Sequence, residues 1–398
     1  MFTVGPTFFS SPAAPSGFDP GVLTPGTPVA STILASGTLA VCRINGTSAL
    51  VVYQRPSGPF DLLAVVVTAS GGVTSYGIPT VISPAAARVA LSVRLLNAGT
   101  GEFVAFSRNA TQIAANVIVV SGITVTAPNT EVLSAALSSP NGGYGEVLST
   151  TSAGVVFEAT DLGVYKVHGI AMSIASGVIT MGTAAVSTMS SLGGGGSRPV
   201  LDSGALVQFG RDVSGSPAYL AAVSFGISGT VCTPTALYMP TLVANRICVD
   251  STYGTGGTID AGGAVVALPY HDLVSGKVCS VRGAWAGTTA SYSNSDSSKN
   301  TWPASPYAPP PVANVQSYGQ VSPSSSYGTF CYVASGVVKM YPVGIFGTVN
   351  MTGNIVTLVG SGASGFRPGH VYLSDTEILY VYVISSGAIL ASGICGVG

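Results

Sequence analysis

The sequence predicts an all-β fold, and three observations predict it. Charged residues make up only 7% of the 398 positions, while hydrophobic residues reach 47%. Glycine and proline number 52 and 25 and act as punctuation along the whole chain. Between them stand short runs rich in Val, Ile, Thr, Tyr and Phe, the residues that suit a pleated, half-buried surface. No stretch carries a helical period of useful length.

The same composition narrows function. A disordered chain needs low hydrophobicity and high charge, the reverse of what is found. With 14 Lys and Arg, 15 Asp and Glu and a formal net charge of −1, no basic face exists to release counterions, so no nucleic-acid partner is expected. Apolar runs are broken by Gly, Ser and Thr before they could span a bilayer, so no membrane insertion is expected. The first residues, MFTVGPTFFSSPAAPSG, carry no Lys or Arg, so no secretory leader is expected either. A surface this poor in charge suits a subunit covered by neighbours, or one that works outside the cell.

The six cysteines, Cys42, Cys232, Cys248, Cys279, Cys331 and Cys395, form no C-x-x-C pair. They lie mostly in β-branched runs and read as buried thiols.

A repeat organises the chain. Apolar-aromatic runs stand at Ala49–Tyr53, Glu102–Phe106, Gly154–Phe157, Ala205–Phe209, Ala264–Leu268, Thr329–Tyr332 and Ile378–Tyr382. Each is followed by a small residue plus Gly and then a β-branched segment: Ser70-Gly71, Ser121-Gly122, Ser176-Gly177 and Ser228-Gly229, then the weaker Ala286-Gly287 and Phe346-Gly347, and last Ser392-Gly393. Glycine there supplies the positive φ that a tight hairpin needs. Each unit reads as four strands, namely a lead-in, the aromatic run, a strand ending at the Gly, and the Val/Ile/Thr strand after it.

Seven such units, each somewhat longer than a typical blade of roughly 40–50 residues, predict a single seven-bladed β-propeller of four-stranded blades. The last unit lacks its fourth strand. Thr3-Val4-Gly5-Pro6-Thr7 is similar to the fourth strands at Thr74–Thr80 and Thr180–Thr183, so residues 1–8 are expected to complete the last blade and close the ring. Residues 9–30 then form a Pro-rich arm. The blades are expected at about 31–83, 84–134, 135–190, 197–242, 243–312, 313–360 and 361–398 plus 1–8.

Chemistry is sparse. The three histidines, His168, His271 and His370, fall in different units, and no H-E-x-x-H, G-x-S-x-G or Walker-type loop occurs. His271-Asp272 reads as an exposed strand-end pair. A carboxylate pair at the central channel would be drawn from residues such as Asp202, Asp260 and Asp375. No catalytic residue, metal site or cofactor is expected, and the chain reads as a non-enzyme. The better lead is the long fifth unit, where Tyr292, Asp296, Trp302 and Tyr307 stand in a polar insertion. Aromatic faces beside Asp, Asn and Ser are what a carbohydrate-binding patch uses.

The unit pattern resembles a propeller repeat of tailed-bacteriophage virion proteins, above all tail fibre and host-attachment subunits. The residues that carry it are Leu50–Tyr53 with Ser70–Gly77, Phe103–Phe106 with Ser121–Thr126, and Val155–Phe157 with Ser176–Thr183. The resemblance implies a structural virion protein, tail-associated through fibre, tail tip or baseplate, with a role in host attachment. It implies other virion proteins and a host surface glycan or receptor as partners, and release by lysis to the outside. It brings no catalytic residues. A capsid decoration protein and a free lectin-like propeller are the alternatives.

Overall fold

The computed structural model describes residues 22–58, 60–84, 88–190, 200–202, 204–212, 219–238, 259–260, 265–272, 277–286, 289–292, 300–301, 316–321, 327–334, 336–346, 349–352, 355–364 and 368–398. Every regular element among them is a β-strand, and neighbours in each sheet run antiparallel.

Two short strands come first, β1 (Leu23–Pro25) and β2 (Val29–Leu34). The first sheet holds β3 (Ser36–Asn45), β4 (Ser48–Gln54), β5 (Leu62–Ser70), β6 (Val73–Tyr76) and β7 (Thr80–Ser83). The second holds β8 (Val89–Asn97), β9 (Glu102–Arg108), β10 (Ile113–Ser121), β11 (Thr124–Thr126) and β12 (Val132–Leu133). The third holds β13 (Ser138–Ser149), β14 (Ser152–Asp161), β15 (Val164–Ala175), β16 (Val178–Met181) and β17 (Ala185–Ser190). The fourth holds β18 (Val200–Asp202), β19 (Ala205–Asp212), β20 (Tyr219–Ser228) and β21 (Val231–Tyr238). The fifth holds β22 (Ile259–Asp260), β23 (Val265–Asp272), β24 (Lys277–Ala286), β25 (Thr289–Tyr292) and β26 (Asn300–Thr301). The sixth holds β27 (Gln316–Val321), β28 (Tyr327–Ala334), β29 (Val337–Phe346), β30 (Val349–Thr352) and β31 (Val356–Val359). The last holds β32 (Gly369–Tyr372), β33 (Glu377–Ile384) and β34 (Ile389–Val397), joined by β1 and β2.

In the first three sheets and the last, the second strand reads as a largely apolar run because both of its faces are buried. In β4, Ala49, Val51 and Tyr53 join a cluster shared with the last sheet, whereas Leu50 and Val52 join one shared with the second sheet. In β9, Phe103 and Ala105 face the first sheet and Val104 and Phe106 the third. The core is therefore divided into apolar layers between successive sheets rather than gathered at one centre. First strands meet across sheet boundaries, with β3 beside β8, β8 beside β13, and β32 beside both β27 and β3.

The fourth strand departs from expectation in most units. It is split in two, so six of the seven sheets described have five strands. In the first sheet β6 pairs with the end of β5 and β7 with its start, and the break falls at Gly77-Ile78-Pro79. Proline lacks the N–H the ladder needs there. Gly77 donates its N–H to the Val66 carbonyl at 2.8 Å. A Cβ on Gly77 would lie 2.6 Å from the Ile123 carbonyl oxygen of the next sheet's hairpin, so the break is also where neighbouring sheets touch.

Two further expectations about the last unit are revised. Ser392-Gly393 is not a hairpin but lies inside β34, where Ser392 is fully buried. Gly393 is required because the Tyr380 ring occupies the space a Cβ would take. Within the expected arm of residues 9–30, β1 pairs Leu23 with Val397 and β2 pairs Val29 with Ser392, and β2 carries residues 31–34, expected in the first blade, into the last sheet. Thr24-Pro25-Gly26-Thr27-Pro28 repeats the Gly-x-Pro signature of the first sheet's outer strand, and Gly26 donates its N–H to the Ile394 carbonyl at 2.7 Å. Residues 1–8, where the closing strand was expected, lie outside the described residues.

Candidate functional site

The sequence-expected patch is not assembled by the described residues. Tyr292 ends β25 opposite Gly283, and Asp296, Trp302 and Tyr307 lie outside the described residues. His271 and Asp272 end β23, with Asp272 opposite Lys277. Asp202 and Asp260 end the first strands β18 and β22 of their sheets, and Asp375 stands in the turn between β32 and β33. All three acids thus occupy one kind of position, the turn between first and second strand. Among the described residues no group of His, Cys, Asp and Glu is arranged to hold a metal. Burial pushes the Cys232 and Cys395 thiols up to about 12, which leaves them protonated and unreactive.

A cluster that the sequence reading missed lies at the opposite sheet edge, in the loops between second and third strands. In the third sheet Asp161 is paired with Val164, leaving Leu162 and Gly163 as a two-residue hairpin loop. Both have positive φ, +49° and +83°, the geometry of a type I′ turn. Asn or Gly suits the first of these positions, and a bulky Leu costs about 1–3 kcal/mol of local strain. Leu162 is nonetheless 95% exposed, so no packing within the chain offsets that cost. Phe60, in the corresponding loop of the first sheet, repeats the combination with a φ of +53° and 45% exposure.

Next to Leu162 stand exposed Val164 and Tyr165. Lys166 Nζ meets Asp161 Oδ2 at 2.6 Å, which fixes the stem of the turn. Across the boundary with the second sheet, Arg108 donates from Nη1 to the Pro140 carbonyl at 3.2 Å and from Nη2 to Asn141 Oδ1 at 3.4 Å. Burial lowers the Arg108 pKa, and the nearby Tyr165 phenol acts in the opposite direction. The second sheet's own loop is ordered by Asn109, whose Oδ1 accepts from the Thr111 and Gln112 amides at 2.9 and 2.7 Å. An exposed aromatic ring thus follows the turn tip, and its phenol acts electrostatically on the guanidinium that holds the Pro140 carbonyl and the Asn141 carboxamide. Such a set can stack against an apolar ring face while donating and accepting hydrogen bonds at its edge. Its one sequence signal was Leu162 before Gly163 between two strands, where Asn-Gly would be ordinary.

No protein family matches the chain by sequence, and no curated protein does. Solved structures do match. The BP39L lectin from Burkholderia pseudomallei is similar with a TM-score of 0.58 and 15% identity, over 90% of this chain and 96% of that one. A protein from Lactobacillus plantarum matches with a TM-score of 0.50 and 9% identity, over 86% and 94%. The β-propeller domain of the trilobed protease from Pyrococcus furiosus matches more loosely, with a TM-score of 0.44 and 9% identity over 89% and 95%. At these identities the likeness concerns fold alone. This chain has an all-β fold, and its structural neighbours are β-propellers.

Proposed function

We propose that this chain is a non-enzymatic, glycan-binding β-propeller of a bacteriophage virion, tail-associated and acting in host attachment. Its seven sheets are the blades of one ring, and β1 and β2 close it by pairing with β34. The observation that carries the binding reading is the Leu162–Tyr165 loop, a strained, exposed apolar tip with an exposed aromatic ring whose phenol acts electrostatically on Arg108. Strain with no internal compensation marks a surface kept for a partner. BP39L is described as a lectin, so the fold is one on which sugar binding can be built. The virion reading rests on the repeat resemblance and on a surface with few charges.

The test is binding of the purified full chain to surface polysaccharides extracted from host cells and to a printed glycan array. Saturable binding is expected, with Tyr165→Ala weakening it by about tenfold or more, as loss of an aromatic anchor does. No binding to any preparation, or binding unchanged by Tyr165→Ala, overturns the site. Gold-labelled antibody on phage particles tests location. Label at the tail supports the attachment reading, label over the head makes the chain a decoration protein, and unlabelled particles remove the virion reading and leave a free lectin.

A further inference from the structure

The two edges of the sheets carry opposite charge. Each of the first six sheets places one Lys or Arg in, or within three residues of, the loop between its second and third strands: Arg55, Arg108, Lys166, Arg211, Lys277 and Lys339. Four aspartates share that edge, and two of the pairs are closed, Arg55 to Asp61 at 3.0 Å and Lys166 to Asp161 at 2.6 Å. The edge is left positive. At the other edge, the turns between first and second strands carry Glu102, Asp202, Asp260, Asp375 and Glu377, and Arg43 is the cation beside them among the described residues. That edge is negative.

Both edges also expose apolar side chains. On the negative edge, the hairpins between third and fourth strands present Val73, Ile123, Val178 and Val231, each more than half exposed. Val73, Val178 and Val231 each open the fourth strand of their sheet and Ile123 stands in the turn just before it, so all four crown the same hairpin in successive sheets. On the positive edge stand Phe60, Leu162 and Val164. An interface core of desolvated aliphatic groups with complementary charge around it is how protein surfaces associate.

We propose that copies of this chain stack head to tail, the positive edge of one seated on the negative edge of the next. The occupant of each edge is a second copy because each carries what the other lacks. A heterologous contact of this kind leaves one free edge at each end and does not close on itself. Only the terminal copy then presents its Leu162–Tyr165 loop.

The experiment is sedimentation velocity of the full chain over a concentration series, at about 20 mM and about 500 mM salt, since added salt shortens the reach of charge. Wild type is expected to grow beyond a dimer at low salt and to dissociate at high salt. Two variants block one edge each. Phe60→Asp with Leu162→Asp adds negative charge to the positive edge, at positions whose positive φ suits Asp better than the native residue. Val73→Lys with Val178→Lys adds positive charge to the negative edge at exposed sites. Each variant alone is expected to be monomeric, and an equimolar mixture to form a 1:1 dimer and stop there. Unchanged circular dichroism and melting confirm that both fold. Wild type that stays monomeric under all conditions overturns the proposal. So does either variant that still self-associates, as a like-on-like dimer would, or a mixture that stays monomeric. No sugar enters the measurement, so its outcome is separate from that of the glycan reading.

Discussion

His370 lies fully buried on β32, its Nε2 3.0 Å from Thr329 Oγ1 and 3.2 Å from the Thr329 carbonyl. Burial lowers its pKa to about 3, against 6.5 for a free imidazole. Above pH 6.5 folded and unfolded chains are alike at this group. Between pH 6.5 and 3 the unfolded chain takes up a proton that the folded one refuses, so stability falls as pH falls, by about 1.4 kcal/mol per unit. Burial moves His168 in the same direction, with the same sign. Urea unfolding of wild type and His370→Gln at pH 7 and pH 5 is expected to show wild type losing about 2 kcal/mol more on acidification. Equal losses would mean that the imidazole is charged or solvated in the fold. Leu162 makes the opposite case, a residue that costs stability where it stands. Leu162→Asn is expected to raise urea-unfolding stability by about 1 kcal/mol by relieving the type I′ turn, while weakening glycan binding. A variant that is less stable would show that the leucine is held by contacts within the chain.

At the scale of strands and turns, the legible features were those fixed by local chemistry. The Ser-Gly marks are hairpins in the first four sheets because positive φ at the turn is a backbone demand any glycine announces. Gly71 and Gly72 both take positive φ, whereas at Gly122-Ile123 only the glycine does. The split fourth strand was only partly legible: Pro79 marks the break in the first sheet, but the close contact with the neighbouring sheet that shares its cause is not written in local sequence. Gly182 shows this best: it is not at positive φ, and a Cβ there would run into the Thr230 carbonyl of the next sheet's hairpin. Gly71 is the converse, with positive φ and open space around it. Gly182→Ala is therefore expected to cost about 1–3 kcal/mol through an overpacked contact between sheets, and Gly71→Ala about 1 kcal/mol through strain alone. Thermal unfolding of the two variants separates these origins, and a Gly182→Ala chain as stable as wild type would remove the contact. The Tyr165 cluster was missed for the same kind of reason. Arg108, Asn141 and Tyr165 come from three different strands or loops, and no spacing in the chain brings them to notice. Tyr292, Asp296, Trp302 and Tyr307 drew attention because they were close in sequence, which is a weaker guide than closeness across a sheet boundary.

For the whole molecule the decisive question is how the chain's two ends meet. The contact between the first and last sheets adds a polar knot to its apolar layer. Tyr76 Oη lies 2.6 Å from Ser392 Oγ and donates to the Val29 carbonyl at 3.0 Å, while Ser392 Oγ donates to Thr74 Oγ1 at 2.8 Å. These bonds tie the first sheet's outer strand to the final strand and to the N-terminal strands at one place. Removing β1 and β2 would take the Val29 carbonyl from Tyr76 and leave the backbone edge of β34 unpaired, and an uncovered strand edge invites association. Two similar Gly- and Pro-containing segments stand near the start, at Thr3–Thr7 and at Thr24–Pro28, and the sequence reading took the first as the closing strand of the proposed ring. Truncation distinguishes them. A chain beginning at Val22 is expected to unfold in one cooperative transition within a few degrees of wild type, because β1 and β2 remain. A chain beginning at Ala35 is expected to melt well below it, to lose cooperativity, and to aggregate through the exposed edge of β34. Equal damage in both truncated chains would return the closing strand to residues 1–8 and make the pairing of β1 and β2 with β34 secondary.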